Sequence, residues 1–189
     1  MINIFTKANS LKLIDDHNKK LVPQFLFFNK FDYLKDKRKY INKINKTFKS
    51  DIIIRSSAIN EDNKKQSNAG HYESFIIKKK NFNEIEKKII EIIRKFKNKR
   101  DQILVQNFIK KPDIAGVIFT KDKTTNSHYY DINYDTSKKS NLITSGQFNP
   151  TIKSLIIFKE SKYIPIKFRG LLKEVSKLEK LFKMDRLDI

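Results

Sequence analysis

Residues 52–74 read IIIRSSAINEDNKKQSNAGHYES, and several of their side chains are types that hold an anion. Arg55 ends an apolar β-branched run. A strand beneath it would fix the guanidinium fork for bidentate contact with phosphate oxygens. Ser56 and Ser57 add hydroxyl donors to the same oxygens. Gly70, one of only 4 glycines, lets a loop backbone approach a ligand and offer its N–H groups. A purely structural alternative pairs Arg55 with Glu61 or Asp62, makes Ser57 a turn cap and gives Gly70 a positive φ.

Other chemistries find little support. The sequence has no cysteine, which excludes disulfides and thiolate metal sites, and its 3 histidines (His17, His71, His128) lack metal-ligand spacing. Neither GxxxxGK[ST] nor GxGxxG occurs, and no nucleophile elbow surrounds a serine.

Positioning such groups takes a folded chain, and 189 residues with 39% hydrophobic and 12% aromatic content provide one despite 33% charged residues. The formal net charge of +20 suits an anionic partner. Lysines are scattered rather than clustered with aromatics, and they come with abundant Asn and Ile, as in an AT-rich genome. They read as solvated surface in preference to a nucleic-acid face. No apolar run approaches a membrane span, the N-terminus lacks the build of a secretory signal, and the cytoplasm is the expected location.

The elements follow from periodicity. Residues 9–16 predict a short helix capped by Asn9 or Ser10, and 21–28, interrupted by Pro23, an edge strand. Residues 31–48 have helical spacing. Strands are expected at 52–54 and 73–77, then a helix over 82–99 with Ile85, Ile89, Ile92, Ile93 and Phe96 on one stripe. Strands follow at 102–109, 115–120, 127–134, 141–146 and 153–158. A last helix from Gly170 buries Leu171, Val175, Leu178 and Phe182. The alternation predicts an α+β fold with a mostly antiparallel sheet flanked by helices.

Taken in order, these segments resemble one family. RSSAINED followed by SNAGHYESF is similar to the signature of the N-terminal nucleotide-binding domain of phosphoenolpyruvate synthase and pyruvate phosphate dikinase. That domain has an ATP-grasp type fold. DQILVQNFI resembles the family's I-L-V-Q strand, AGVIFTKDK its G-V-x-F-T-x-D-P, and NLITSG its V-T-S-G. TKANSL and LVPQFLFF are similar to its K-A-x-x-L and following V-P segment, and LEKLFKMDRLDI to the helix and strand leading into D-I-E. Together the matches span essentially the whole chain.

The resemblance implies ATP and Mg2+ as ligands. It makes Lys7 and Arg55 the phosphate-binding cations and places Gly70 and Ser74 at nucleotide-contacting positions of the glycine loop. It sets Gln106 beside the adenosine and makes Asp188 a metal-binding acid. Phosphoryl transfer would go to a histidine on a phosphotransfer domain, then to pyruvate on a further domain, both on a missing segment or separate chain. The expected organisation is a short segment at 1–50, a reduced N-terminal subdomain, packing on a nucleotide-binding domain at 51–189. In the family, D-I continues into a metal-binding glutamate and Q-x-R-P. The domain is therefore expected to be incomplete at its C-terminal end, a fragment, a split subunit or the remnant of a decayed gene, and inactive alone. Lys123 stands where the family has proline. The alternatives are a basic nucleic-acid-binding protein and a catalytically inactive partner of the same fold.

Overall fold

The structure, a computed structural model, describes residues 6–59, 74–122, 124–137 and 151–189. It is α+β, with antiparallel sheets flanked by helices. The chain divides after Phe108 into two compact units, Met1–Phe108 and Ile109–Ile189.

In the first unit, Thr6 rather than Asn9 or Ser10 caps helix α1, Lys7–His17. Its side chain accepts the N–H of Asn9, satisfying one of the donors every helix start leaves open. Strand β1, Phe25–Asn29, follows Pro23 and lies at a sheet edge, where a residue without an N–H is tolerated. The helical spacing of 31–48 is realised as two helices, α2 (Lys30–Lys35) and α3 (Lys37–Thr47), because Asp36 ends one and caps the other. Strands β2 (Ile52–Ser57) and β3 (Ser74–Ile77) are followed by a 3-10 segment, helix α4 (Ile85–Lys95) and strand β4 (Gln102–Asn107).

The sheet order is β1-β4-β2-β3, and every pairing is antiparallel. Ile52 and Ile54 of β2, with Ile103 and Val105 of β4, face the helices and pack with Ile44 and Phe48 beside α3 and Ile85, Ile89, Ile92 and Ile93 of α4. The expected stripe of α4 is therefore buried, but the helix is shorter than 82–99. Phe96 turns out of it into extended backbone and is buried in the same core. Asp101, 2% exposed, pins the exit of β2 by accepting the N–H groups of Ile59 and Asn98. Hydrogen bonds to a charged acceptor are the stronger kind, so the backbone at Ile59 and Asn98 is held closely.

The second unit is a meander of β5 (Ala115–Phe119), β6 (Tyr129–Asp135) and β7 (Lys153–Phe158), followed by helix α5, Ile166–Phe182. Helix α5 starts at Pro165, not Gly170. It buries Phe168, Leu172, Val175 and Leu178, while Leu171, expected inside, is 45% exposed. Val175 and Leu178 are on the buried stripe as expected, and Leu172 and Phe168, three and seven positions before Val175, complete it in place of Leu171 and Phe182. The expected strand at 141–146 lies outside the described residues.

Gly116 approaches β6 closely. A Cβ there would stand 2.7 Å from the Asn133 carbonyl oxygen, which the sheet holds in place. Gly116→Ala is expected to cost about 1–3 kcal/mol in urea unfolding, the usual range for overpacking.

Between β5 and β6, Asp122 shapes a turn. Its carboxylate accepts the Thr125 N–H at 2.6 Å, the Thr125 hydroxyl at 2.8 Å and the Thr124 N–H at 2.9 Å. These bonds, Thr125's first, hold its pKa below the ordinary carboxylate value, with Arg186 adding a favourable charge. A carboxyl depressed on folding stabilises above its ordinary value and loses that contribution as pH falls through the lowered one. Asp122→Asn should therefore lower the unfolding midpoint at pH 6, and the wild-type and variant curves should converge below about pH 4.

Candidate functional site

Side chains two apart on a strand share a face, so the face of the first sheet opposite the large core can be read row by row. Ser74 of β3 pairs with Arg55 of β2, and Arg55 pairs with Leu104 of β4, which pairs with Phe27 of β1. The next row is Ile76, Ile53, Gln106 and Phe25, and on the other side Ser57, Gln102 and Asn29. Arg55, Ser74 and Gln106 thus lie on one surface. Arg55 and Ser74 are direct cross-strand neighbours, with Cβ atoms about 5 Å apart in such pairs, and Gln106 is on the diagonal. Arg55 is half-buried, and among the described residues its side chain makes no hydrogen bond or ion pair. Gln106 is 7% exposed.

The start of α1 is tied to the same surface. The Ala8 N–H donates to Ser57 Oγ at 2.9 Å, Thr6 Oγ1 donates to Gln102 Oε1 at 2.6 Å, and Gln102 Nε2 donates to Asn9 Oδ1 at 3.2 Å. Lys7 lies between two residues anchored to this patch, and Ser57 is two positions from Arg55. The start of α1, which carries Lys7, is therefore held against the sheet that carries Arg55. The first backbone N–H groups of the helix, with their partial positive charge, lie beside that sheet.

The two serines separate. Ser57 is engaged in fixing α1, which is a positioning role and neither a turn cap nor a free donor. Ser56 points to the opposite face, 3% exposed, and cannot serve the same ligand as Arg55. Alternation along the strand forbids it. Thr6 and Gln102 were not singled out from the sequence. The signal was available: Gln102, Leu104 and Gln106 are spaced by two, so a role for Gln106 implied a neighbouring role for Gln102. Gly70 lies outside the described residues, as do Glu61 and Asp62.

Asp188 belongs to the second unit. The chain end runs antiparallel along the outer side of β5, with Phe119 bridged to Asp188. The Ile118 N–H donates to the Ile189 carbonyl at 2.9 Å, and the Ile118 carbonyl accepts the Ile189 N–H at 3.0 Å. Thr120, fully buried, fixes the approach, its hydroxyl donating to the Asp185 carbonyl and accepting the Leu187 N–H at 2.8 Å. In place of the expected strand leading into D-I, the chain forms an isolated bridge to β5. Asp188 is exposed, and Phe119 also pairs with Asp131, so two carboxylates flank Phe119 on the sheet face opposite the Ile118–Ile132 core row. The Asp131 carboxylate accepts from Asn133 Nδ2 at 3.0 Å. Oxygen donors in this number suit Mg2+, which takes one or two carboxylates and completes its shell with water and phosphate. Among the described residues no group of three or more His, Cys, Asp or Glu could hold a metal by itself.

No family model matches the chain, and no curated protein matches it. Among solved structures it is similar to the VanG D-Ala:D-Ser ligase from Enterococcus faecalis. That match has 13% identity over 93% of this chain and 44% of that one, with a TM-score of 0.47. It is also similar to D-alanyl-alanine synthetase A from Vibrio cholerae O1 biovar eltor, at 15% identity over 96% of this chain and 48% of that one, with a TM-score of 0.48. The chain spans a little under half the length of these structures. No helix among the described residues is long and apolar enough to cross a membrane.

Proposed function

We propose that this chain is an ATP-grasp type nucleotide-binding domain, of the kind found in phosphoenolpyruvate synthase and pyruvate phosphate dikinase. What supports it is that Arg55, Ser74 and Gln106 share one sheet face to which the start of α1, carrying Lys7, is tied, with Arg55 uncommitted to any described side chain. A guanidinium on a sheet face beside hydroxyl and amide groups, with a lysine on the adjoining helix start, has the composition a nucleoside triphosphate requires. Arg55 grips phosphate oxygens through two parallel N–H bonds, Lys7 adds a point charge, and Gln106 offers donor and acceptor to a base edge.

In this reading Asp188 would hold Mg2+, with Asp131 as a further oxygen donor. Bound Mg2+ neutralises negative charge on the phosphate oxygens. This chain's own part is to bind and orient the nucleotide, which positioning and electrostatics largely accomplish in phosphoryl transfer. The acceptor is a histidine on a separate phosphotransfer domain or chain, and a pyruvate-binding domain receives the group next. The setting is the cytoplasm.

The test is calorimetric titration of MgATP into the intact chain. Saturable one-to-one binding is expected. Lys7→Ala should weaken it about tenfold or more, the cost of removing a charged contact. Absence of heat at millimolar MgATP, or an unchanged affinity in the variant, would overturn the assignment.

A further inference from the structure

The outer edge of β1 is unpaired among the described strands, and it opens into a groove of about 630 Å3. Ligand clefts typically have about 300–1,000 Å3. The groove is lined from both faces of the sheet. Lys12 and Asp15 of α1, Lys19, Phe25 and Phe27 come from one side, and Leu26 and Lys43 of α3 from the other. Its floor is therefore the free strand edge itself, walled by helices above and below.

The direction of the free backbone groups follows from the ladder. The Asn107 N–H donates to the Gln24 carbonyl at 2.9 Å, which makes Gln24 and Asn107 a hydrogen-bonded pair. In an antiparallel ladder such pairs alternate, so Leu26 with Val105 and Phe28 with Ile103 are the next two. The N–H and C=O groups of Phe25 and Phe27 then point away from β4, into the groove. The bond from Phe108 N–H to the Asp51 carbonyl, also 2.9 Å, fixes the same phase on the other side of β4.

Charge identifies the occupant. Helix α3 has the sequence KRKYINKINKT, five cations and no carboxylate. Lys19 and Lys20 add two more at the far wall, against Asp15 and against Asp16, which is engaged with Lys12. The lysines flanking this edge strand repel another copy of a chain whose net charge is +20, so self-pairing is disfavoured.

We propose that β1 accepts an extended acidic peptide segment of a partner protein, added as a fifth strand of the sheet. Backbone bonds to Phe25 and Phe27 supply affinity, and the lysine walls select carboxylates on alternate residues. This site does not rest on the nucleotide reading, although the Phe25 and Phe27 side chains share a sheet face with Gln106 and Arg55.

The test uses the intact chain and a fluorescein-labelled Glu-Val-Glu-Val-Glu-Val-Glu peptide, followed by anisotropy. Saturable binding is expected, weakened tenfold or more by the double variant Lys19→Glu/Lys43→Glu. The same peptide with alternate backbone nitrogens methylated should fail to bind, because it keeps the charge and loses the strand donors. A Lys-Val repeat should not bind. The proposal is overturned if the Glu-Val peptide shows no binding or if the methylated peptide binds equally. It is also overturned if the double variant is unaffected, if a ten-residue oligothymidylate displaces the peptide and binds more tightly, or if sedimentation shows a dimer that the double variant dissolves.

Discussion

Arg55→Ala is expected to lose MgATP binding by about hundredfold or more while leaving the unfolding midpoint within about 2 °C of wild type. Both halves of this result follow from where Arg55 sits. The residue is at the centre of β2, paired with Ser74 on one side and Leu104 on the other, so its backbone is fixed by the ladder whatever its side chain. The side chain lies on the face away from the Ile52–Ile54 core and is tied to no described partner. Truncation there removes a charge without opening a cavity or stranding a counter-ion, and surface-type changes usually move stability by less than about 0.5 kcal/mol. For a triphosphate the loss is large. A bidentate guanidinium contact is charge-assisted, and Lys7 alone cannot reproduce its planar geometry. Arg55→Lys should recover only part of the affinity.

One residue earlier the expected outcome reverses. Ile54 is fully buried among the residues that α3 and α4 cover. Ile54→Ala removes those contacts and leaves a cavity, at a cost of about 2–5 kcal/mol in urea unfolding. That is a large fraction of a typical domain's stability of about 5–15 kcal/mol. At temperatures where the variant stays folded, its MgATP affinity should be close to wild type, since no atom of Ile54 faces the nucleotide side. The adjacent pair thus separates the two faces of the sheet: one substitution loses ligand and keeps the fold, the other weakens the fold and keeps the ligand. If Ile54→Ala cost nothing in stability, or Arg55→Ala unfolded the chain, the face assignment would be wrong.

Much of this arrangement was legible before any coordinates. The stripe Ile85, Ile89, Ile92, Ile93 is a strong helical signal, and it is the buried face of α4. The strands at 52–57, 102–107 and 153–158 are apolar runs whose ends are marked by polar residues, and Pro23 marked β1 as an edge. Boundaries were harder. The first helix begins two residues before its expected start because Thr6, three positions before Asn9, caps as well as Asn9 or Ser10 would. Gly170 suggested a start for the last helix, yet it lies inside α5 with open space around its Cα, and Pro165 is the real boundary. The segment at 31–48 carried one helical period through Asp36, where the chain in fact breaks and restarts. Within the candidate site, residue type at the end of an apolar run points to Arg55, and the family resemblance points to Lys7 and Gln106. The hydrogen bonds linking Thr6, Ala8 and Asn9 to Ser57 and Gln102 could not be named in advance, because their partners are 49 to 96 positions apart and only folding joins them.

The most direct measurement is amide NMR of the intact 15N-labelled chain titrated with MgATP. Shift changes should concentrate on Lys7, Ala8, Arg55, Ser57, Ser74 and Gln106, the residues that share one surface of the first sheet. Ile52, Ile54 and the helix Ile85–Lys95 on the other side should stay nearly still. A titration with no changes at millimolar nucleotide, or with changes gathered on the lysines of α3 instead, would contradict a nucleotide site built around Arg55.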